Sequence, residues 1–595
     1  MLPPRRSCPV SPVRQYRWVL PHSNASAGSA DRDFPGKVKK LADELTISPI
    51  LAEILVRRGI ETMEKARLFF RPRLDDLHDP FLMNDMQKAV DRLITAVRVG
   101  ENIMVYGDYD VDGTNGASLL WTFLKSIGAK VDSYIPDRLK EGYGISDIGI
   151  EKAKERGVSV LLSVDCGITA INQTAYARSL GIDLIICDHH EPGDSLPEAY
   201  AILNPFKPGC EYPFKHLCGC GVGFKLIQAL CTHELVQSMF GGDAESQLAS
   251  YLDFVALATT ADIVPVIGEN RTLLRLGLEL INASPRPGIR ALIETSGLNA
   301  GKITGGQIVF IIAPRINAVG RLGDANRAVE LLTCASPEQA LSLAKVFEEE
   351  NRNRRKIDEE TFIEAQELVE TTAGMEKESA IILHRGSWHP GVIGIVASRL
   401  VERYYRPTIM MTTVNGVAKG SARSVRGFDI YQALKQCEDT LLQFGGHKYA
   451  AGLAVEIDRL EEFKDAFSAV ARERLSDELL TPEIHIDAEI ELSDLTPKFL
   501  RILNQFAPYG PNNMRPVFAI RNAEVYGSPR IVGNNHLRFS VKQQNRVFDT
   551  IGFNLGQLEE RLKNRYVDLA VSIDEGEFGG HAVPQLKIRD LKSSI

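Results

Sequence analysis

Three short acidic motifs constrain this chain more than any other feature, because each follows directly on a strand-like apolar run. Gly107-Asp108-Tyr109-Asp110-Val111-Asp112-Gly113 follows the run 102–106, Asp165-Cys166-Gly167 follows 158–164, and Asp188-His189-His190 follows 182–187. Further strand-like runs lie at 130–135 and 199–203, and helical patterns occupy 116–127 and 147–156. Strands alternating with helices of this length predict βαβ units and a parallel sheet. In such a sheet the carboxyl ends of the strands share one edge, where ligands bind, and neighbouring strands lie about 4.8 Å apart. Asp110, Asp112, Asp165, His189 and His190 are therefore expected to converge. A single Asp after a strand is ordinarily a helix cap or turn residue. Several at one edge would repel one another without cations. Mixed carboxylate and imidazole ligands suit Mn²⁺, and carboxylate with water suits Mg²⁺. The first motif also begins like an EF-hand loop, but Leu119 stands where that loop needs its twelfth-position Glu.

Composition narrows the function classes. The chain has 595 residues, 69 Lys+Arg against 77 Asp+Glu and a net charge of −8, so bulk positive charge is not what would hold a nucleic acid. The length predicts three or four domains. No apolar run reaches the roughly 20 residues of a membrane span, so no membrane association is expected. Nine cysteines in so long a chain read as reduced thiols, and the expected location is cytoplasmic. Cys210, His216, Cys218, Cys220, Cys231 and His233 lack any CxxC spacing, so they read as buried or incidental rather than as a zinc site.

Along the chain, residues 1–35 read as a disordered or leader segment, with Arg5, Arg6, Arg14 and Arg17 preceding the first acid, Asp31. Residues 36–330 read as the αβ domain with a helical N-terminal part, and 331–375 as a charged linker helix. A second αβ domain is expected over 376–480. From 481 to 595 alternating strands and a Gly533-Asn534 turn predict a small β-barrel. There Arg538, Lys542, Arg546, Phe539 and Phe548 are of the types that bind single strands, although Phe539 alternates with Leu537 and Val541 and so reads as core.

The ordered motifs resemble the DHH phosphoesterase superfamily. Ala258-Thr259-Thr260-Ala261-Asp262-Ile263-Val264-Pro265 resembles its fourth motif, and Pro314-Arg315-Ile316-Asn317-Ala318-Val319-Gly320-Arg321 resembles the branch of single-strand-specific 5′→3′ exonucleases. Ile135-Pro136-Asp137-Arg138 with Glu141-Gly142-Tyr143-Gly144 adds support. Trp388-His389-Pro390-Gly391, Gly420-Ser421-Ala422-Arg423-Ser424 and Phe444-Gly445-Gly446-His447 resemble the DHH-associated domain. The fold implied is multidomain α/β: a parallel-sheet DHH domain, a DHH-associated αβ domain joined by a long helix, and a C-terminal OB-like β-barrel. The resemblance implies two Mn²⁺ or Mg²⁺ ions held by Asp110, Asp112, Asp165, His189 and Asp262, with His190 in or beside the site and Asp108 at its rim. Tyr106 stands where small-molecule members often carry a His, which implies a set poorer in imidazole. Arg138, Ser421 and Arg423 would hold a 5′-phosphate, and Arg315, Asn317, Arg321 and His447 would contact nucleic acid.

The function implied is degradation of single-stranded DNA from the 5′ end to 5′-mononucleotides by two-metal hydrolysis, in repair and recombination. A monomer working with single-strand-binding protein and a helicase is expected. Two alternatives stand beside it. One is a DHH phosphodiesterase on short oligonucleotides or cyclic dinucleotides, against which the extra C-terminal domain counts. The other is an inactive single-strand-binding scaffold, against which the full set of carboxylates and both histidines count.

Overall fold

In the computed structural model, residues 16–21, 33–138, 140–322, 324–372, 378–578 and 581–594 are described. The leader reading at the N-terminus falls mostly on residues outside them. The chain divides into two compact units. One holds Arg58–Asn353 with Asn504–Arg515, and the other holds the chain up to Arg57, Arg354–Leu503 and Pro516–Ile595. The grouping cuts across the sequence-based boundaries. Residues 504–515 leave the C-terminal segment for the unit of the acidic motifs, and the helical stretch before Arg57 leaves that unit.

The first unit is built on a five-stranded parallel sheet of β1 (Asn102–Gly107), β2 (Lys130–Tyr134), β3 (Val158–Val164), β4 (Asp183–Cys187) and β5 (Ala201–Leu203), in the order β2-β1-β3-β4-β5. β1, β3 and β4 are almost wholly buried, as continuous apolar runs in a covered parallel sheet should be. The strand order reverses between β1 and β3, which is where open α/β sheets bind ligands. Register sharpens this: Gly107 pairs with Val164, and Val164 with Cys187, so the three acidic motifs begin at one level.

Helix α1 (Val111–Ser126) starts five residues earlier than the apolar pattern predicts. The cause is Asp110, whose carboxylate accepts from the Asp112 and Gly113 amides at 2.8 and 3.1 Å. Asp110 is thus a helix cap as well as a member of the acidic cluster. Gly113 has no alternative, since a Cβ there would lie 2.4 Å from the Asp108 backbone.

Helix α2 (Gly219–Cys231) is buried along nearly its whole length. Lys225, fully buried on it, donates to Glu269 at 3.1 Å and to the His78 carbonyl at 2.6 Å, and Tyr212 donates to Glu269 at 2.6 Å. Burial pulls the Lys225 pKa down, and Glu269 opposes that.

In the second unit, β6 (Ile381–His384), β7 (Thr408–Val414), β8 (Val417–Arg423), β9 (Gln443–His447) and β10 (Ala450–Glu456) form a sheet in the order β9-β10-β8-β7-β6. The C-terminal strands Val517–Val532, His536–Gln543, Arg546–Gly552, Tyr566–Phe578 and His581–Ser593 close into a five-stranded barrel, because the first also pairs with the fourth. Leu537, Phe539 and Val541 face its core, while Arg538, Ser540 and Lys542 between them do not. Phe539 is therefore core, as its alternation implies.

Replacing Lys225 by Met leaves Glu269 charged and buried without its cation. Such a broken pair costs about 3–5 kcal/mol. Denaturant unfolding of Lys225→Met is expected to read a loss in that range, and an unchanged midpoint would show that the pair does not hold α2.

Candidate metal centre

The register at the sheet edge places the side chains of the three motifs together. His189 Nε2 lies 3.1 Å from Asp165 Oδ1, 3.6 Å from Asp262 Oδ2 and 3.8 Å from Asp112 Oδ2. Three overlapping groups have ligand atoms within 4.8 Å of one another: Asp165, His189 and His190; Asp112, His189 and Asp262; and Asp108, Asp110 and Asp165. All seven expected ligands therefore occupy one cluster, although it draws on residues 154 positions apart, from Asp108 to Asp262. No cysteine belongs to any such group among the described residues. Cys218, Cys220 and Cys231 are fully buried, and burial pushes the Cys218 and Cys220 thiols well up, so they are packing residues.

Each candidate ligand has its own support. Asp165 sits at φ 64°, a left-handed conformation that Asp tolerates better than most residues, and its amide donates to the Cys187 carbonyl at 2.9 Å. Asp262 ends helix α3 (Leu252–Ala261). Asp112 is gripped at both oxygens by the start of α2, from the Gly219 amide at 2.6 Å and the Cys220 amide at 2.8 Å. Gly219 must be glycine, since a Cβ would lie 2.6 Å from the Asp165 Cβ. Sequence reasoning weighed this segment only for its cysteines. The available signal was Gly219, Gly221 and Gly223 alternating at a helix start. Asp188 is a supporting residue: it accepts from the amides of Ile168, His189 and His190 and bonds His190 Nδ1 at 2.7 Å.

Electrostatics set this corner apart. Burial, then Asp110, pushes Asp108 well above the ordinary carboxylate range. Burial, then Asp112, does the same to Asp165 and Asp262 and raises Asp110. Burial pulls the His189 imidazole below its usual value, keeping it neutral with a lone pair to offer. Burial opposes the charged form of Asp188, yet the His190 bond and charge hold that carboxyl low. Four buried polar atoms in this corner have no hydrogen-bond partner: Asp108 Oδ1, Asp165 Oδ1, His189 Nε2 and Asp262 Oδ2. Orphaned acceptors in a native core are rare. His189 Nε2 lies within 3.6 Å of the Asp165 and Asp262 atoms, and Asp108 groups with Asp165, an arrangement that fits divalent cations bound by mixed oxygen and nitrogen donors.

The other singled-out residues fall in several places. Arg138 stacks over the Tyr109 ring at 4.8 Å, beside the first motif. Tyr143, with its ring exposed, donates to the Asp165 carbonyl at 3.2 Å and lies 3.3 Å from a His190 ring nitrogen. Tyr106 is fully buried, donates to the Gly144 carbonyl at 3.0 Å and accepts from the Ser146 amide, so it shapes the 144–146 loop. Asn317 and Arg321 are half-buried on helix α4 (Ala313–Leu322), which abuts the first motif so closely that a Cβ on Gly320 would lie 2.6 Å from the Tyr109 carbonyl. Arg315, on the same helix, is buried, pairing with Glu348 at 2.7 Å and bonding the Ile311 carbonyl. In the second unit, Arg423 donates to Ser421 Oγ at 2.9 Å, and both lie against Gly394 near the start of helix α5 (Ile393–Tyr404). A Cβ on Gly394 would fall 2.8 Å from Ser421 Oγ and 2.9 Å from Arg423 Nη2. A hydroxyl, a guanidinium and a helix N-terminus there form an anion-compatible corner. His447 is exposed at the end of β9.

Three family models match: the "DHH family, N-terminal domain" over residues 102–259, the "DHHA1 domain" over 377–473 and the "RecJ OB domain" over 486–590. The chain is 39% identical over 558 residues to the single-stranded-DNA-specific exonuclease RecJ of Bacillus subtilis (strain 168), covering 93% of this chain and 69% of that protein. It is 35% identical over 560 residues to the protein of the same name from Escherichia coli (strain K12), covering 92% and 96%. The crystal structure of RecJ in complex with Mn²⁺ from Thermus thermophilus superposes with TM-score 0.79 at 30% identity, covering 94% of this chain and 78% of that one. The Mg²⁺ complex of the same protein gives 0.73 at 28%.

A carboxylate with a raised folded-state pKa destabilises the metal-free fold once it ionises. Stability should therefore fall as pH rises from the ordinary carboxylate range through the raised values. Asp165→Asn is expected to raise the melting temperature in EDTA at neutral pH, flatten that pH dependence and remove most of the stabilisation by Mn²⁺. A lower melting temperature in EDTA would show that Asp165 is not under charge repulsion.

Proposed function

The chain belongs to the RecJ family, and from that membership together with the cluster at the sheet edge we propose how it works as a metal-dependent, single-strand-specific DNA exonuclease. The carrying observation is the set of four orphaned ligand atoms on Asp108, Asp165, His189 and Asp262. Asp110, Asp112, Asp165, His189 and Asp262 would hold two divalent ions. Asp108, expected at the rim, is instead buried beside Asp110 and Asp165 with an orphaned oxygen to offer, and His190 stands at the margin. When bound, such ions supply Lewis-acid stabilisation of charge developing on the phosphate and the leaving oxygen. The residues do the rest. Asp112, fixed by two α2 amides, keeps its orientation whatever binds. Neutral His189 presents Nε2, and Asp188 fixes the His190 ring through Nδ1. Arg138, next to Asp108 and over Tyr109, offers a guanidinium to a phosphate.

Polarity needs recognition of one terminus, because metal ions alone would cut from either end. We assign that recognition to Ser421 and Arg423 beside the start of α5. Asn317, Arg321 and His447 are proposed to meet the strand further along. Arg315 can do so only by leaving Glu348, and its proposed part is to brace α4. The OB barrel would bind the trailing strand through the outward row Arg538, Ser540 and Lys542, where stacking and backbone charge suffice. Among the described residues no helix is long and apolar enough to cross a membrane. We place the protein in the cytoplasm as a monomer, working in repair and recombination beside a helicase and a single-strand-binding protein.

The direct test uses a long single strand with a 5′-phosphate and a 5′ label, in Mn²⁺. Rapid release of labelled mononucleotide supports the reading. Activity confined to very short oligonucleotides would return the small-substrate phosphodiesterase. Asp112→Asn and His189→Ala are expected to abolish release, and near-wild-type rates for either would remove that residue from the ligand set. His189→Ala leaves the unfolding midpoint nearly unchanged, whereas Asp112→Asn lowers it, because its NH2 would face one of the two α2 amides that the carboxylate accepts from.

A terminal phosphate carries about one more negative charge than a 5′-hydroxyl at neutral pH. Charge-assisted hydrogen bonds are worth about 1.5–3 kcal/mol, or roughly 10–150-fold. Arg423→Ala should lower kcat/KM on 5′-phosphorylated DNA by such a factor and barely change it on 5′-hydroxyl DNA. Equal losses on the two substrates would show that this corner does not read the 5′ end.

A further inference from the structure

The segment Asn504–Arg515 belongs to the unit of the metal cluster, although it lies in the C-terminal part of the sequence, just before the first barrel strand. Its anchoring is unusually dense. Arg271, buried on helix α6 (Gly268–Ala283), aims its guanidinium at five backbone carbonyls. Nε donates to Phe69 at 3.0 Å, Nη1 to Phe506 and Pro508 at 2.9 and 3.1 Å, and Nη2 to Gln505 and Ala507 at 3.2 and 3.0 Å. Burial, then the Arg275 and Arg58 charges, pulls the Arg271 pKa down to about 9, while carbonyl dipoles and the Phe69 ring at 3.7 Å support its charge. Asn513, also buried, donates to the Phe506 and Pro508 carbonyls at 2.9 and 2.8 Å. Arg58 bonds Asn513 and the Met514 carbonyl.

The segment so held touches one functional element. The loop 262–267 between α3 and α6 begins with Asp262, and its second residue, Ile263, has φ 60°. Its Pro265 carbonyl accepts from Asn270 at 3.0 Å, and its Val266 amide donates to the Pro511 carbonyl at 2.8 Å. Gly510 packs against the same Val266, where a Cβ would lie 2.4 Å from Val266 Cγ2. A non-glycine residue in the left-handed region persists only where its surroundings over-determine it. The loop has Asn270 on one side and the 505–513 segment on the other to do that.

We propose that residues 505–513 are positioning residues for Asp262, a strut that sets the loop aiming its carboxylate at His189 and Asp112. The proposal rests on the reading of Asp262 as a metal ligand. It means that the chain entering the barrel is part of the scaffold of the metal centre, so metal affinity depends on residues outside the ligand cluster.

The test measures Mn²⁺ binding by calorimetry on the full-length chain, together with single-strand binding in EDTA and the unfolding midpoint. The variants are Gly510→Ala, Asn513→Ala and, as control, Asp262→Asn. Changes behind a metal ligand commonly weaken metal binding about 10–100-fold. Gly510→Ala is expected at about the lower bound and Asn513→Ala somewhat below it, with strand binding in EDTA unchanged. If Gly510→Ala does not fold, Asn513→Ala decides. Wild-type Mn²⁺ affinity in the strut variants with loss in Asp262→Asn would overturn the strut. Mn²⁺ loss matched by equal loss of strand binding in EDTA would overturn it too, as general loosening. Wild-type affinity in Asp262→Asn would instead overturn the ligand reading.

Discussion

The carboxylates of Asp108, Asp110, Asp165 and Asp262 share a corner from which most water is excluded, and their mutual repulsion is the constraint the surrounding structure answers. Unpaired buried charge is among the costliest features a fold can carry. The molecule keeps it by surrounding it with groups that cannot move away. Asp110 is locked as the cap of α1, Asp112 is held by two amides of α2, and Asp165 is fixed at a left-handed turn. The result is a site whose side chains are held in one arrangement by the surrounding backbone, as electrostatic preorganisation for phosphodiester hydrolysis requires.

That rigidity is built by long-range contacts. α2 meets Asp112 at its first residues and is tied through Lys225 to Glu269, at the start of the helix whose Asn270 and Arg271 hold the Asp262 loop and its strut. Buried polar bonds made from α2 and α6 therefore lie behind both Asp112 and the loop of Asp262. The corner at Ser421 and Arg423, proposed to take a 5′-phosphate, follows another economy, using one guanidinium, one hydroxyl and a glycine that leaves them room.

How much of this the sequence disclosed follows from range. The acidic corner was legible because each of the three motifs sits next to its own strand and a parallel sheet turns three local patterns into one edge, whereas Asp262, at a helix end, entered only through the family resemblance. The barrel was legible from alternation such as Leu537, Phe539 and Val541. The family model matches and the Thermus thermophilus RecJ superposition bear out the family and fold that the motifs implied. The start of α1 was misplaced because Asp112, Gly113 and Asn115 have little helical propensity and only the Asp110 cap overrides that. The α2 grip, the Arg315–Glu348 pair and the strut were not legible. Each joins residues tens to hundreds of positions apart through backbone groups or single side chains, which leave no periodicity to read.

The central claim is that four orphaned atoms mark a divalent metal centre. Anomalous diffraction from a crystal grown with Mn²⁺ tests it most directly. The account predicts manganese peaks within bonding distance of Asp165 Oδ1, His189 Nε2 and Asp262 Oδ2, with Asp112 still bonded to the Gly219 and Cys220 amides. Ordered protein with no anomalous peak among these residues, or with manganese bound only elsewhere, would contradict it.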